Sequence, residues 1–385
     1  MNFPRMRSAL LVAGLALAAA APAQTVKLGV SATLTGPNAV NGQSTVNGLS
    51  LALDQIIASG GVDGRKLELV ILDDKGSPGE AQNVFDQLIK KEQVLMIFGP
   101  TLTPQAEQAW VFSNAQKVVS FGTSLTSSHL TKIGPYTFRN AVTEDIMTPQ
   151  SVRAAVAKLG VKRVAAIFQD DDAFAQGAFF AAHPAILKGK AALVAREPFT
   201  TANKEFPARI ARIKQTQPDA LYISSRANDA AAIMLEAKKQ GLVVPVIGNN
   251  NFVSQALYDA AKDAANNVIF TIPWSADFES KRNLAFMAEY EAKYKLKPNH
   301  FAALAYDALF VVAAALKKMP RGSDLALART ELREALIGIK YEGATGKMKF
   351  VRNGSSGYNA DKDVFTHIYR DGKFEYWKTG WFGNF

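Results

Sequence analysis

The chain contains no cysteine in its 385 residues. That excludes disulfides, leaves a structural zinc site without its usual thiolate ligands, and removes the residue at which a bacterial lipid anchor is attached. Histidine is nearly absent. His129, His183, His300 and His367 are far apart and form neither HExxH nor HxH. No GxxxxGK[ST] phosphate loop is present, and Ser127-Ser128-His129 lacks the GxSxG elbow that would make it a nucleophile motif. Asp170-Asp171-Asp172 lacks the spaced carboxylates of a calcium loop and reads as a polar loop capping the next helix. After the first residues no run approaches the about 20 apolar residues that span a membrane. Acidic residues are the minority, giving a formal net charge of +10. The basic ones are scattered, with nothing denser than pairs such as Lys90-Lys91 and Lys317-Lys318, so there is no nucleic-acid stripe. The residue pattern calls for no cofactor, no metal and no catalytic constellation.

At the N-terminus, Arg5 and Arg7 precede the apolar run 9–21 and the small residues Ala21-Pro22-Ala23. This pattern predicts a cleavable signal peptide over 1–23, cut after Ala23 to leave Gln24 first, and hence a periplasmic protein with no membrane insertion after cleavage. Without Arg5 and Arg7 the net charge falls from +10 to +8. The 48% hydrophobic content is ample for a core, and the length suits two domains.

Strand and helix periods alternate along the chain. Val26–Ser31, Lys66–Leu72, Val94–Phe98 and Val118–Phe121 read as strands, separated by helices at Ser44–Ser59, Pro78–Lys91 and Thr103–Gln116. Val94–Phe98 is almost wholly apolar, as in a parallel sheet buried on both faces. The pattern then restarts. Helices are predicted at Thr148–Leu159, Phe174–Lys188, Lys204–Gln215, Ala227–Gln240 and Ser254–Ala261. Strands are predicted at Arg163–Phe168, Ala192–Arg196, Ala220–Ser224, Val244–Ile247 and Val268–Thr271. Three helices follow Pro273, and the tail turns to strand, with Asp371-Gly372 as a hairpin turn. The fold class is α/β: two doubly wound lobes, with a cleft between the carboxyl ends of two sheets.

Residues 26–81 carry a TGP turn at Thr35-Gly36-Pro37, a Gly42-Gln43 step, the run Gly60-Gly61-Val62-Asp63-Gly64-Arg65, and Asp73-Asp74 after the second strand. Phe98-Gly99-Pro100, the VSFGTS of 119–124, the YTFRN of 136–140, IFQDDDAFAQG at 167–177 and HFAALAYDALFVVAAAL at 300–316 follow in order. Across nearly all of 26–370 the chain resembles the leucine/isoleucine/valine-binding protein family. The resemblance implies a type I periplasmic binding fold with three crossover segments, and delivery of solute to the membrane permease of a branched-chain-type ABC importer. On that reading lobe I takes 24–142 and 271–348, and lobe II takes 143–270 and 349–385. A monomer is expected.

The resemblance also implies where a ligand carboxylate is held: Thr103 after the GP turn, and Gly122 and Ser124 after the fourth strand. Thr103 before Pro104 reads independently as the N-cap of a helix whose free N–H groups face the anion. The second lobe departs from the pattern of aliphatic amino-acid binders. Where those have a tyrosine and a glutamate near the ammonium, this chain has Arg226 or Ala227, and Asn250. Asn41 stands where a ligand-facing tryptophan can occur. Phe174 takes a position often held by tyrosine, suited either to a ligand or to the core. A buried ammonium needs a carboxylate partner, whereas arginine favours an anion. The expected ligand is therefore a small carboxylate without an α-amino group: an aromatic acid, a 2-oxo acid or a dicarboxylate. An amino acid, rescued by Asp170–Asp172, is the alternative. Other classes are a ligand-sensing subunit of a membrane receptor and, less favoured, an exported α/β enzyme.

Overall fold

The computed structural model describes residues 25–377. The signal-peptide expectation over 1–23 and its cut after Ala23 lie outside the described residues.

The chain opens with β1 (Thr25–Ala32), α1 (Ala39–Ala58), β2 (Lys66–Asp73), α2 (Pro78–Asp86), β3 (Met96–Phe98), α3 (Thr103–Ala115), β4 (Val119–Gly122) and β5 (Thr137–Arg139). It then builds α4 (Glu144–Leu159), β6 (Arg163–Gln169), α5 (Ala173–Lys188), β7 (Ala192–Phe199), α6 (Phe206–Gln215), β8 (Ala220–Ser224), α7 (Ala227–Lys239), β9 (Val246–Gly248), α8 (Gln255–Ala261) and β10 (Val268–Ile272). Helices α9 (Lys281–Tyr294), α10 (His300–Leu316) and α11 (Leu325–Ile337) follow. The last strands are β11 (Lys340–Gly343), β12 (Gly346–Arg352), β13 (Tyr358–Lys362), β14 (Phe365–Arg370) and β15 (Lys373–Trp377).

Two sheets result. An eight-stranded sheet has the order β11-β12-β13-β5-β4-β3-β1-β2, and a seven-stranded sheet the order β15-β14-β10-β9-β8-β6-β7. In each, five consecutive parallel strands share one winding, with the second strand outermost and the first beside the third. Antiparallel strands close the opposite edge. Such sheets place ligands outside the carboxyl ends of their parallel strands.

The cores follow from the periodicities. Val30, Phe98, Phe121 and Phe138 pack with Leu309, Val312 and Leu316 of α10 in the first lobe. Ile167, Ile223 and Phe270 pack with Ile210, Ile233 and Met234 in the second. The helices after Pro273 thus pack on the first lobe. Among the described residues no helix is long and apolar enough to cross a membrane.

One expected boundary is displaced. Lobe I was predicted to end at 348, but β12 and β13 both pair in the first sheet, so the third crossing falls between Lys362 and Phe365. The polar run Asn353-Gly354-Ser355-Ser356-Gly357 between β12 and β13 is a hairpin turn, closed by the Asn353 N–H on the Gly357 carbonyl at 2.8 Å. Helix α4 begins at Glu144, four residues before the predicted start; Pro149, which suggests a start nearby, lies inside the helix.

Candidate functional site

Loops at the carboxyl ends of β3, β4, β6, β8 and β9 converge between the lobes. They enclose a narrow cavity lined by Thr101, Leu102, Thr103, Ser124, Leu125 and Thr126 from the first lobe. Phe174, Arg226, Asn250 and Asn251 line it from the second, and Phe301 of α10 completes it. Four residues singled out beforehand on the strength of the resemblance, Thr103, Ser124, Arg226 and Asn250, therefore stand on one wall or the other. Phe174, left open between ligand and core, also lines the cavity.

The first wall is built by a buried polar network. Asp74, fully buried, accepts hydrogen bonds from Ser31 Oγ and Thr33 Oγ1, both at 2.8 Å, and from Gln105 Nε2. Gln105 Oε1 accepts the Leu102 N–H at 2.8 Å and so fixes the entry to α3. Leu102, not Thr103, is the N-cap; Thr103 is the first helical residue and Pro104 the second. The expected capping role of Thr103 is thereby corrected by one residue. No side chain caps α3, so its first-turn N–H groups remain suited to an anion. The Thr103 hydroxyl lies 3.1 Å from that of Ser127. The pair holds two hydrogens and uses one between its members, which leaves one to donate.

Ser124 sits on a loop tied down by Arg139. That guanidinium, fully buried, donates to the carbonyls of Ser127 at 2.6 Å, Leu125 at 3.2 Å and Ser128 at 3.3 Å, and to Asn359 Oδ1 at 2.7 Å. The Ser124 hydroxyl itself is buried and has no protein partner. A buried hydroxyl without a partner costs free energy unless a ligand supplies one. Gly122 does not line the cavity. A β-carbon there would stand 3.0 Å from Trp110 Cη2, so the glycine makes room for Trp110 rather than for a ligand. Its carbonyl is taken by the Asn140 N–H at 3.2 Å.

On the second wall, Asp172 caps α5, its Oδ1 accepting the N–H groups of Phe174 and Ala175. Its Oδ2 accepts Arg226 Nε at 2.9 Å and lies 2.7 Å from Nη2. The same guanidinium lies 4.7 Å from the Phe174 ring centroid. Arg226 is thus oriented from two sides, with its charge partly balanced by Asp172. The Asp170–Asp172 run is occupied structurally. Asp170 accepts Gln176 and Asp171 accepts the Thr201 N–H at 2.8 Å, so neither is shaped as a free ammonium acceptor. Asn250 is buried, and its Oδ1 has no protein partner. Asn41 lies apart, in a wider groove that continues the cavity past Arg226 and Phe301. His300 lines that groove too; burial pushes its pKa down to about 4 and keeps it neutral.

Two residues that build the site carry no sequence signal of their own, Gln105 and Glu144, and Arg139 is marked only by its place in the YTFRN run. Each is an ordinary polar residue until the fold buries it. Among the described residues no group of histidines and carboxylates is arranged to hold a metal ion.

Comparison with known proteins places this geometry. The profile of the family described as periplasmic binding protein matches residues 25–360. A leucine-, isoleucine-, valine-, threonine- and alanine-binding protein of Pseudomonas aeruginosa is 24% identical over 91% of this chain and 92% of its own length. Among solved structures, the branched-chain amino acid transporter substrate-binding protein of Streptococcus pneumoniae, in complex with isoleucine, superposes with a TM-score of 0.81. It is 27% identical, covering 91% of this chain and 98% of its own. A solute-binding protein of an ABC transporter from Rhodopseudomonas palustris, in complex with 3,4-dihydroxybenzoic acid, gives 0.78 at 25% identity over 91% and 95%. The two-lobed α/β fold with a cleft between its sheets and the family match across both lobes agree: the chain belongs to the periplasmic binding protein family, whose members are solute-binding proteins.

Proposed function

We propose that this protein captures a small carboxylate-bearing solute in the cavity between its lobes and delivers it to the permease of an ABC importer. The favoured solutes are those without an α-amino group: an aromatic acid, a 2-oxo acid or a dicarboxylate. The observation that carries this reading is the asymmetry of the cavity. One wall offers the unpaired Ser124 hydroxyl, the Thr103 hydroxyl with the spare hydrogen of its Ser127 pair, and the open end of α3. The other offers Arg226 and Asn250, and no acidic residue lines the cavity. A carboxylate is matched by the first wall, where each charge-assisted hydrogen bond is worth roughly 1.5–3 kcal/mol. Phe174, Leu125 and Phe301 then flank its apolar or aromatic body. Capture proceeds by hinge closure, since the solute touches both lobes only when the cleft is shut. The working form is a periplasmic monomer.

Relatives support both a carboxylate with an ammonium and one without. The Streptococcus protein holds isoleucine and the Rhodopseudomonas protein 3,4-dihydroxybenzoic acid. The test is a thermal-shift screen of the chain from Gln24 onward, unfolded and refolded to strip bound solute. A ligand at about 100 times its dissociation constant adds roughly 2.7 kcal/mol to stability. A hit among aromatic acids, 2-oxo acids or dicarboxylates supports the proposal. Hits confined to amino acids would keep the transport role and overturn the choice of solute.

A further inference from the structure

Glu144 opens α4 where the chain first crosses between the lobes, and it is 2% exposed. Its main-chain N–H donates to the Thr126 carbonyl at 2.9 Å. Its carboxylate accepts Thr148 Oγ1 at 2.6 Å and Thr126 Oγ1 at 3.4 Å, and it stands near enough to Asn250 for that residue's main-chain N–H to stabilise its charge. Thr126 and Asn250 both line the cavity, one on each wall. The carboxylate therefore stands one residue behind the lining, close to both sides. The titratable groups felt there are Asp145, its neighbour on α4, and the buried phenol of Tyr222 on β8. Among the described residues no lysine, arginine or histidine forms an ion pair with it.

We propose that Glu144 is a proton-linked residue of this site: it takes up a proton when an anionic solute enters the cavity, so that solute capture is coupled to pH. The inference rests on the solute reading above. A buried carboxylate with no cation beside it and a second carboxylate arriving in the adjoining cavity repel each other, and a proton on Glu144 removes the repulsion. That proton is readily available. Burial, opposed by Thr148, the Asn250 N–H and Thr126 and reinforced by Asp145, pushes the Glu144 pKa up to about 7. The bound anion raises it further. The protonated protein is then the tighter binder, and affinity for the anion rises as pH falls through 7. An ammonium beside Asn250 would lower the Glu144 pKa, and affinity would rise with pH instead. Glu144 acts through Thr126 and Asn250 and is a positioning residue, not a direct ligand contact.

The experiment is titration calorimetry of the best acid from the screen, one fully ionised between pH 5.5 and 8.5. It is run in two buffers of different ionisation enthalpy, on the wild type and on Glu144→Gln. The wild type should take up a fraction of a proton per solute at pH 7. Its dissociation constant should rise about fivefold between pH 6 and 8, as a one-unit upward shift of a pKa near 7 requires. Glu144→Gln should take up none and give a flat profile. Identical pH profiles in the two proteins, or no proton uptake by the wild type, would overturn the assignment; the second reading needs no variant. Proton release with tightening at high pH would overturn it in favour of a cationic group on the solute. Failure of every acid to bind at any pH defeats the solute reading itself, a separate outcome.

Discussion

Arg226 is held so firmly that its substitution has two consequences. Removing the side chain deprives the second wall of its positive charge, and it leaves Asp172 Oδ2 without the guanidinium that it accepts at 2.9 Å. A carboxylate freed in this way repels an anionic solute. Arg226→Ala should therefore weaken acid binding by at least about tenfold, and Arg226→Lys should not restore it, because an ammonium lacks the planar fork that both Asp172 and Phe174 engage. Unchanged affinity in calorimetry would mean that Arg226 serves only its own helix. Glu144 gives a stability prediction with a defined sign. Its pKa is about 7 in the folded protein against an ordinary 4.5. A raised pKa contributes stability that is full below about pH 4.5 and is lost as pH rises through 7. Relative to Glu144→Gln, the wild type should lose up to roughly 3 kcal/mol between pH 5 and 8, measured by urea unfolding. Arg226 and Asn250 were legible because they stand where the family has different chemistry. Glu144 was not, because one of the two acids of a VTED run gains its meaning only from burial.

At the scale of elements, the anion-facing wall depends on how α3 is entered. Gln105 bridges Asp74 to the Leu102 N–H, so Gln105→Ala leaves both a buried acceptor and the entry to the helix short of a partner. A loss of about 1–3 kcal/mol is expected in denaturant unfolding, the cost of a buried group left unpaired. Gly122→Ala should cost a comparable amount, since the new methyl meets Trp110 at 3.0 Å. A large loss of affinity with unchanged stability in Gly122→Ala would contradict its packing role. Strongly periodic elements were legible: α3, α5 and the apolar parallel strands appear within a few residues of their predicted ends. Three strands were not. β5 and β11 are short, and β13 carries Asn359, Asp361 and Lys362, which break the apolar pattern. The polarity of β13 is part of the site, because Asn359 accepts Arg139 and Thr131 behind the loop that bears Ser124. The one-residue shift of the α3 cap has a similar origin. Thr-Pro favours a helix start in sequence, but the Gln105 side chain satisfies Leu102 first.

At the scale of the molecule, two sheets with the same winding face each other through their carboxyl ends, and the chain crosses between them three times. That arrangement was readable from the restart of the α/β alternation. The last crossing was not, because the polar residues of β13 hide the strand that keeps the chain in the first sheet up to Lys362. Closure of such a body shortens it, so small-angle scattering should show a smaller radius of gyration when solute is added. The most direct test of the account is calorimetry of the best acid against the wild type and a Thr103→Val/Ser124→Ala double variant. Removing two charge-assisted donors should weaken binding by at least about a hundredfold while the melting temperature stays within a few degrees. A double variant that binds the acid as tightly as the wild type would contradict the placement of the carboxylate on the first wall, and with it the proposed site.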